Sequence, residues 1–420
     1  MLCVISNYSS GESRVDRPLS SGISIPPALM DMSLGRTMTK EFDRAEHVGR
    51  LRSAATAPVT RRSLFKFAGA GALAVGAGSL LAACGSGGSA ASTSQATKAA
   101  GALASPTPFV VGSSSGDNFL IDLVNVDQNQ FAAYNLEVPK LIYPQSGVQG
   151  LQMISAAAID GAAMDTMGAM LSFANSQKGN RPVIVGIRMP VNTYNMIVGP
   201  GNWPGAGASF AEKMASLKGK RIGVTAIGAG TDNMLNLALK AAGMDRGDIA
   251  VVGVGQIPAA IAQIKNDRLD AYVGFTFGSG LSVATQVGGQ MLIDFSAAGT
   301  PALLSDLQVC PLVMREDKVE SSQDTANAWL GAQWEAKTWI TDNRAAASKL
   351  LNEGTFNNGA PEEATKTIDF MVDRVFPKVS PNWKVTRGAI EHAGDVMDQL
   401  GMLKKGTVSY EDIVPPFARA

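Results

Sequence analysis

Cysteine and histidine are scarce in this sequence of 420 residues. The cysteines are Cys3, Cys84 and Cys310, and the histidines are His47 and His392. Because the first two cysteines lie in or next to the leader described below, Cys310 has no partner and a disulfide framework is excluded. A histidine-based metal site or a Ser-His-Asp triad would depend on His392 alone, so neither is expected.

Net charge and long apolar runs are also lacking. Lys and Arg number 36, and so do Asp and Glu. A nucleic-acid-binding protein normally has a basic excess, so no nucleic-acid partner is expected. Apart from a marginal Gly- and Ala-rich segment near residue 70, no apolar run reaches the ~18–20 residues of a spanning helix. The 45% hydrophobic and 17% charged residues are typical of a globular protein.

Residues 38–83 have the features of an export signal. Arg61 and Arg62 precede an apolar stretch, 67–83, that ends in small residues. The arginine pair resembles the twin-arginine translocation motif, with its usual Phe-Leu order reversed. Leu81-Ala82-Ala83-Cys84 resembles a bacterial lipobox, whose cysteine is acylated and becomes the mature N-terminus. The sequence therefore predicts an exported protein, at the cell membrane or in the periplasm, anchored by a lipid on Cys84; the alternative is a chance arginine pair before an apolar helix.

The segments on either side of the signal lack the pattern of a domain. Residues 1–37 have no periodicity, so they are interpreted as a disordered or wrongly assigned extension, with translation starting at Met30, Met32 or Met38. Residues 84–108 are almost entirely Gly, Ser, Ala, Thr and Pro, a composition that buries little apolar surface. They are predicted to form a flexible tether.

From residue 109 onward, short apolar runs alternate with helical spacing, and one unit occurs twice. The pattern Asp-x₅-Thr-x-Gly spans 160–168 and returns at 270–278, a shift of 110 residues. In each copy, apolar residues at helical spacing precede it and a short apolar run lies inside it. The repeat predicts two related α/β halves, each with a largely parallel sheet.

Three motifs carry a family resemblance. The chain resembles the second lobe of solute-binding proteins of ABC transporters of the nitrate, sulfonate and taurine type in three segments: Leu217-Lys218-Gly219-Lys220, Arg221-Ile222-Gly223-Val224 and Leu269-Asp270-Ala271. That group also includes carriers of thiamine-pyrimidine precursors. The resemblance extends over about residues 109–400, and it departs where the family has Gly near Asp267.

The resemblance implies the two-lobed α/β fold of type II periplasmic binding proteins. The first lobe would comprise 109–197 and 308–420, and the second 198–307, with a ligand cleft between them. It also implies a monomer that works with an ABC permease and an ATPase.

Ligands of α/β sheets bind beyond the carboxyl ends of the strands. The candidate ligand-binding residues are Ser113, Ser114, Ser115, Asn118, Asp165, Thr166, Arg188, Thr225, Gly230, Thr231, Phe275 and Thr276. The loop before Thr231 offers backbone N–H groups at a helix N-terminus, which is an anion site or only a helix start. Arg188 is a ligand contact or a structural charge, and Asp165 pairs with an amino group or caps a helix.

Binding of a small molecule, without a cofactor or a metal, is the expected function. The leading ligand class is a small anion or zwitterion, such as a sulfonate, taurine or nitrate. A thiamine-pyrimidine precursor or another heterocycle, stacked on Phe275, Tyr143 or Tyr194, is the alternative. An exported enzyme or a sensor on the same fold stays open, although scarce Cys and His argue against an enzyme.

Overall fold

A computed structural model describes residues 99–420 of the chain. The predicted extension 1–37, the signal 38–83 with Arg61 and Arg62, and the lipidation residue Cys84 lie outside the described residues. Of the predicted tether, only 99–108 are described, and this part is not free. Leu103 N–H donates to Tyr134 O at 3.2 Å, and 107–108 pair with a strand. The tether prediction is wrong for these residues because their backbone groups find partners in the globular part.

The described residues contain eleven strands: β1 (Thr107–Pro108), β2 (Val111–Gly112), β3 (Leu136–Glu137), β4 (Gly161–Ala163), β5 (Pro182–Met189), β6 (Asn195–Val198), β7 (Arg221–Val224), β8 (Ala250–Gly253), β9 (Ala271–Gly274), β10 (Gln290–Asp294) and β11 (Val309–Arg315).

The same range contains fifteen α-helices: α1 (Leu120–Asp127), α2 (Gln130–Ala133), α3 (Gly147–Ser155), α4 (Thr166–Asn175), α5 (Phe210–Ala215), α6 (Gly230–Ala241), α7 (Ile257–Lys265), α8 (Phe277–Val287), α9 (Ala302–Ser305), α10 (Glu316–Ser321), α11 (Gln323–Asp342), α12 (Arg344–Gly354), α13 (Pro361–Phe370), α14 (Arg387–Gln399) and α15 (Tyr410–Ile413). Short 3₁₀ turns and one π-helical turn, Met371–Val375, complete the backbone.

Two mixed sheets organise the molecule. One has the order β2-β4-β11-β5 and the other β10-β6-β9-β7-β8; β1 and β3 form a separate parallel pair. We call the parts built around the four-stranded and five-stranded sheets the first and second lobe. The prediction of largely parallel sheets is wrong in detail, because only β2-β4, β7-β8 and β7-β9 are parallel within them. The antiparallel pairs all involve β6, β10 or β11.

These antiparallel strands flank the two passages of the chain between the lobes. The chain leaves the four-stranded sheet after β5 and enters the five-stranded sheet at β6, then returns between β10 and β11. The first strand after each passage is reversed: β6 runs antiparallel to β9, and β11 runs antiparallel to β4 and β5. The predicted lobe boundary at residue 198 falls on the last residue of β6, and the boundary at 308 falls just before β11.

The repeated motif forms the same structure in both lobes. Asp160 Oδ2 accepts a hydrogen bond from Val110 N–H at 2.8 Å, and Asp270 Oδ2 accepts one from Arg221 N–H at 2.7 Å. The N–H of each aspartate donates to the carbonyl of that same partner residue, at 2.8 and 2.9 Å. Each aspartate therefore fastens the start of β4 or β9 to the neighbouring parallel segment. The motif threonines lie at the starts of α4 and α8.

The core explains why β5 is almost entirely apolar, although it lies at the edge of its sheet. Every residue of β5 is buried, as expected for a strand covered on both faces. Trp329 on α11 is fully buried, with its ring centroid 5.6 Å from that of Phe109. Trp334 packs edge-on against the buried Trp383 at 5.4 Å. Within the described residues, no helix combines the length and apolar character needed to cross a membrane.

Candidate ligand-binding cleft

A cavity lies between the two lobes, at the carboxyl ends of β2, β4, β7 and β9. Its volume is about 80 Å³, counted over positions that the centre of a water molecule can take. A water molecule itself fills roughly 10–15 Å³, so centre positions spread over this volume leave room for a small organic compound. The lining residues are Ser113, Ser114, Asn118, Phe119, Pro144, Ser146, Gly147, Ala163, Met164, Asp165, Tyr194, Thr225, Gly230, Thr231, Gln256, Phe275, Val309 and Cys310.

Eight of the twelve candidate residues line this cavity. They are Ser113, Ser114, Asn118, Asp165, Thr225, Gly230, Thr231 and Phe275. Ser115, Thr166, Arg188 and Thr276 are not among the lining residues. The Thr166 hydroxyl donates to Gln308 O at 2.8 Å, and Thr276 is fully buried with its carbonyl accepting from Asn195 Nδ2 at 2.8 Å.

Arg188 is part of a buried structural network, which corrects its assignment as a ligand contact. Its guanidinium pairs with Asp122 at 2.7 Å, and both side chains are at most 1% exposed. It also donates to Asn118 O at 2.9 Å and to Gln333 Oε1 at 2.5 Å. Ser113 Oγ donates to Asp122 Oδ2 at 3.1 Å. The network ties β5 to α1 and α11 behind the cavity wall.

Asp165 is the N-cap of α4 and faces the start of α6. Its Oδ1 accepts from Gly168 N–H at 2.7 Å, and its Oδ2 accepts from the Tyr194 hydroxyl at 3.2 Å. A Cβ atom placed on Gly230 would lie 2.3 Å from Tyr194 Oη and 2.8 Å from Asp165 Cγ, so only glycine permits this approach. Burial raises the pKa of Asp165, and hydrogen bonds from Gly168, Tyr194 and Asn233 partly oppose that rise.

The loop before α6, for which an anion site and a mere helix start were both open, uses part of its own hydrogen-bonding capacity. Gly228 N–H donates to Asp232 Oδ2 at 2.9 Å, and Ala229 N–H donates to Ala226 O at 3.1 Å. The hydroxyls of Thr225 and Thr231 hydrogen-bond to each other at 2.9 Å. Thr225 N–H also donates to Thr231 Oγ1, at 2.9 Å.

Asn118 presents a fixed amide. Its Nδ2 donates to Thr193 Oγ1 at 2.9 Å and to Phe275 O at 3.3 Å. Because a backbone carbonyl can only accept, this contact fixes which end of the amide is the donor. Asn118 Oδ1 is buried and has no hydrogen-bond partner among the described residues.

Two further contacts join the lobes beside the cavity. Gln256 accepts from Ser114 Oγ at 3.3 Å and donates to Pro144 O at 3.0 Å. Asp117 Oδ1 accepts from Ser279 N–H at 2.9 Å, near the start of α8. Burial raises the pKa of Asp117, against the lowering effect of these hydrogen bonds.

Sequence reasoning missed Ser146 and Gln256 as lining residues. They are the residues before α3 and α7, and the 110-residue shift of the repeat relates them. The repeat therefore contained the signal that could have found both. Phe119 was also missed; its ring packs edge-on against Phe275, with centroids 6.3 Å apart.

The cavity contains one carboxylate, Asp165, and no Lys, Arg or His among its lining residues. Cys310 is a free, buried cysteine, and burial raises the pKa of its thiol to about 12. At neutral pH this thiol stays protonated, so it is a poor nucleophile. No group of three or more potential metal-ligating side chains occurs within residues 99–420. The arrangement suits hydrogen bonding and packing around a small compound.

Two α/β lobes, two chain passages between them and a cavity at the facing strand ends define the periplasmic-binding-protein fold. A model of the NMT1-like family matches residues 118–352. The chain belongs to the NMT1-like family. No curated protein sequence matches it.

Solved structures share this fold at low sequence identity. A Bordetella bronchiseptica RB50 protein is 18% identical with a TM-score of 0.58, covering 73% of this chain and 95% of its own. The alkanesulfonate-binding protein SsuA from Xanthomonas axonopodis pv. citri, bound to MOPS, is 16% identical with a TM-score of 0.57, covering 74% and 99%. The nitrate-binding protein NrtA from Synechocystis PCC 6803 is 18% identical with a TM-score of 0.51, covering 64% and 70%.

Proposed function

We propose that this protein is the solute-binding component of an ABC importer and binds a small organic solute between its lobes. The observation that carries the proposal is the cavity at the facing strand ends, which both lobes line and beside which hydrogen bonds join the lobes. Family membership and the structural likeness to SsuA and NrtA support it. A permease and an ATPase are the expected partners, and the binding protein itself acts as a monomer.

The predicted ligand class was a sulfonate, taurine or nitrate, with a thiamine-pyrimidine precursor or another heterocycle as the alternative. The cavity lining has no cationic side chain, so neutral donors alone would hold an inorganic anion such as nitrate. Asp165 offers an acceptor for an amino group, and Phe119 and Phe275 offer an aromatic wall. These features favour a zwitterion or a small heterocycle over a simple anion.

Binding without catalysis is the proposed role. The protonated thiol of Cys310 is a weak nucleophile, and the lining residues contain no histidine to act as a base. A ligand recovered chemically unchanged after incubation would support this role, and its conversion would contradict it.

The test of the transport role uses the protein together with its importer. The purified binding protein should stimulate ATP hydrolysis by the reconstituted permease and ATPase of its importer, and only when a binding solute is present. The variant Gly230→Ala, whose added methyl group would block closure of the lobes, should fail to stimulate. Stimulation that is independent of solute, or none with a solute shown to bind, would contradict the importer assignment.

Export and lipid anchoring are a separate part of the proposal, supported by the sequence of residues 61–84. Cys84→Ala should release the protein from the membrane fraction, because the residue that carries the anchoring lipid would be lost. Arg61→Lys with Arg62→Lys should stop export, whereas each single change serves as a control. Full membrane retention of Cys84→Ala would contradict the anchor.

A further inference from the structure

We infer that the cavity selects compounds that carry an amino group, with Asp165 and Asn118 as the accepting residues, over anions that lack one. This inference rests on the proposed binding function and names its ligand class. It follows from which hydrogen-bonding groups of the cavity are already used and which are left.

Several side-chain donors of the cavity are committed within the protein, although the Ser146 hydroxyl and one hydroxyl of the Thr225–Thr231 pair have no acceptor among the described residues. Ser113 Oγ donates to Asp122, Ser114 Oγ donates to Gln256, and the Tyr194 hydroxyl donates to Asp165. Both donor contacts of Asn118 Nδ2 are to protein oxygens. Sulfonate and nitrate oxygens only accept hydrogen bonds, so they could use only these two free hydroxyls or would have to displace the committed contacts.

Acceptors, in contrast, are left over. Asn118 Oδ1 has no partner among the described residues, and the amide cannot rotate to hide it because Phe275 O requires the Nδ2 end. The Asp165 carboxylate accepts from neutral groups only, and no ion pair with a cationic side chain involves it. A buried carboxylate without a cation is costly, and a ligand ammonium or amino group would offset that cost.

Asp165 also occupies the place where an anion would otherwise bind at the start of α6. The start of α6 lines the cavity, as does that of α3, and the Gly230 backbone lies against the Asp165 carboxylate. A second anion at that helix end would meet this carboxylate as a like charge. The helix N-terminus therefore stabilises Asp165 and is unfavourable for a ligand sulfonate.

The walls suit the rest of such a ligand. Phe119 and Phe275 present two rings at a dihedral of 73°, and aromatic faces attract ammonium groups as well as flat rings. The small volume restricts the ligand to a compact compound. A short amine or a single aminated ring meets all of these conditions.

Matched probe pairs test the inference on the mature protein. Taurine is compared with ethanesulfonate, and 4-amino-2-methylpyrimidine with 2,4-dimethylpyrimidine, each at about 10 mM in calorimetric and thermal-shift titrations; at 100 times the dissociation constant the shift is readily measured. Within at least one pair the amino compound should bind and its partner should not. Binding of ethanesulfonate or nitrate as tight as that of either amino compound, or no binding by both amino compounds, would overturn the inference.

Asp165→Asn should lower the affinity for the amino probe by about 10- to 100-fold, the range for a hydrogen bond to a charged group. Asp294→Asn is the matched control, because Asp294 is also a mostly buried carboxylate that accepts from a nearby N–H, that of Ser296, at 2.8 Å, outside the cavity. Unchanged affinity in Asp165→Asn would overturn the role of Asp165. If that variant does not fold, the wild-type probe pairs still decide.

The outcome is separable from that of the proposed function. Selective binding of amino probes without solute-dependent stimulation of the importer would uphold the ligand class and reject the transport role. Solute-dependent stimulation by an amine-free sulfonate would uphold transport and reject the ligand class.

Discussion

Replacing Arg188 by Met should destabilise the protein strongly without acting on the ligand directly. Arg188 makes four hydrogen bonds, two of them to Asp122, and it is fully buried. Met has a similar length but no charge, so the substitution leaves the Asp122 carboxylate buried with only Ser113 and Gln333 as donors. The cost comes from this uncompensated charge.

Removing one partner of a buried ion pair typically costs about 3–5 kcal/mol. The whole free energy of unfolding of a natural domain is about 5–15 kcal/mol, so the loss should be a large fraction of the total. Replacing Asp122 by Leu as well removes the orphaned charge. The double variant should therefore recover part of the loss, with a coupling energy of about 1–3 kcal/mol.

Urea unfolding followed by tryptophan fluorescence measures these differences, because Trp329 and Trp383 are fully buried. Binding of an amino probe is measured in parallel, below the unfolding transition. If Arg188→Met unfolds at the wild-type urea concentration but no longer binds the probe, Arg188 is a ligand contact. In that case the structural reasoning given for it is wrong.

Three further changes test the cavity and the contacts between the lobes. Gly230→Ala should reduce probe affinity more than about tenfold but keep thermal stability, since Ala favours helices. Gly388→Ala, near the start of α14 with open space around its Cβ, is the control and should bind normally. Gln256→Ala removes two hydrogen bonds between the lobes, so small-angle scattering should show a larger radius of gyration; an unchanged radius contradicts this. Asp117 has a raised pKa, so the folded state holds its proton more tightly and wild-type stability should fall as pH rises above 3.8 toward that pKa. In Asp117→Asn, the free energy of unfolding measured in urea should fall less steeply with pH over this range. An equally steep fall in the variant would contradict the role given to Asp117.

The sequence by itself determined the repeat and, through it, the two α/β lobes. The motif at 160–168 and 270–278 places Asp160 and Asp270 in identical backbone contacts. Strand ends and helix starts depend on neighbours a few residues away, so most of the candidate positions, such as Asp165 and Thr231, could be located without coordinates. The same short-range signals fix which residues stand at a strand end.

Only the tertiary structure decided what those residues do. Arg188 meets Asp122, which lies 66 residues earlier, and Gln333, which lies 145 residues later, and no local pattern specifies such a pairing. Asp165 faces Gly230 because the two lobes approach each other there. Hydrogen-bond partners between distant segments depend on how the lobes pack, and that packing determines which donors are used up and which acceptors remain for a ligand.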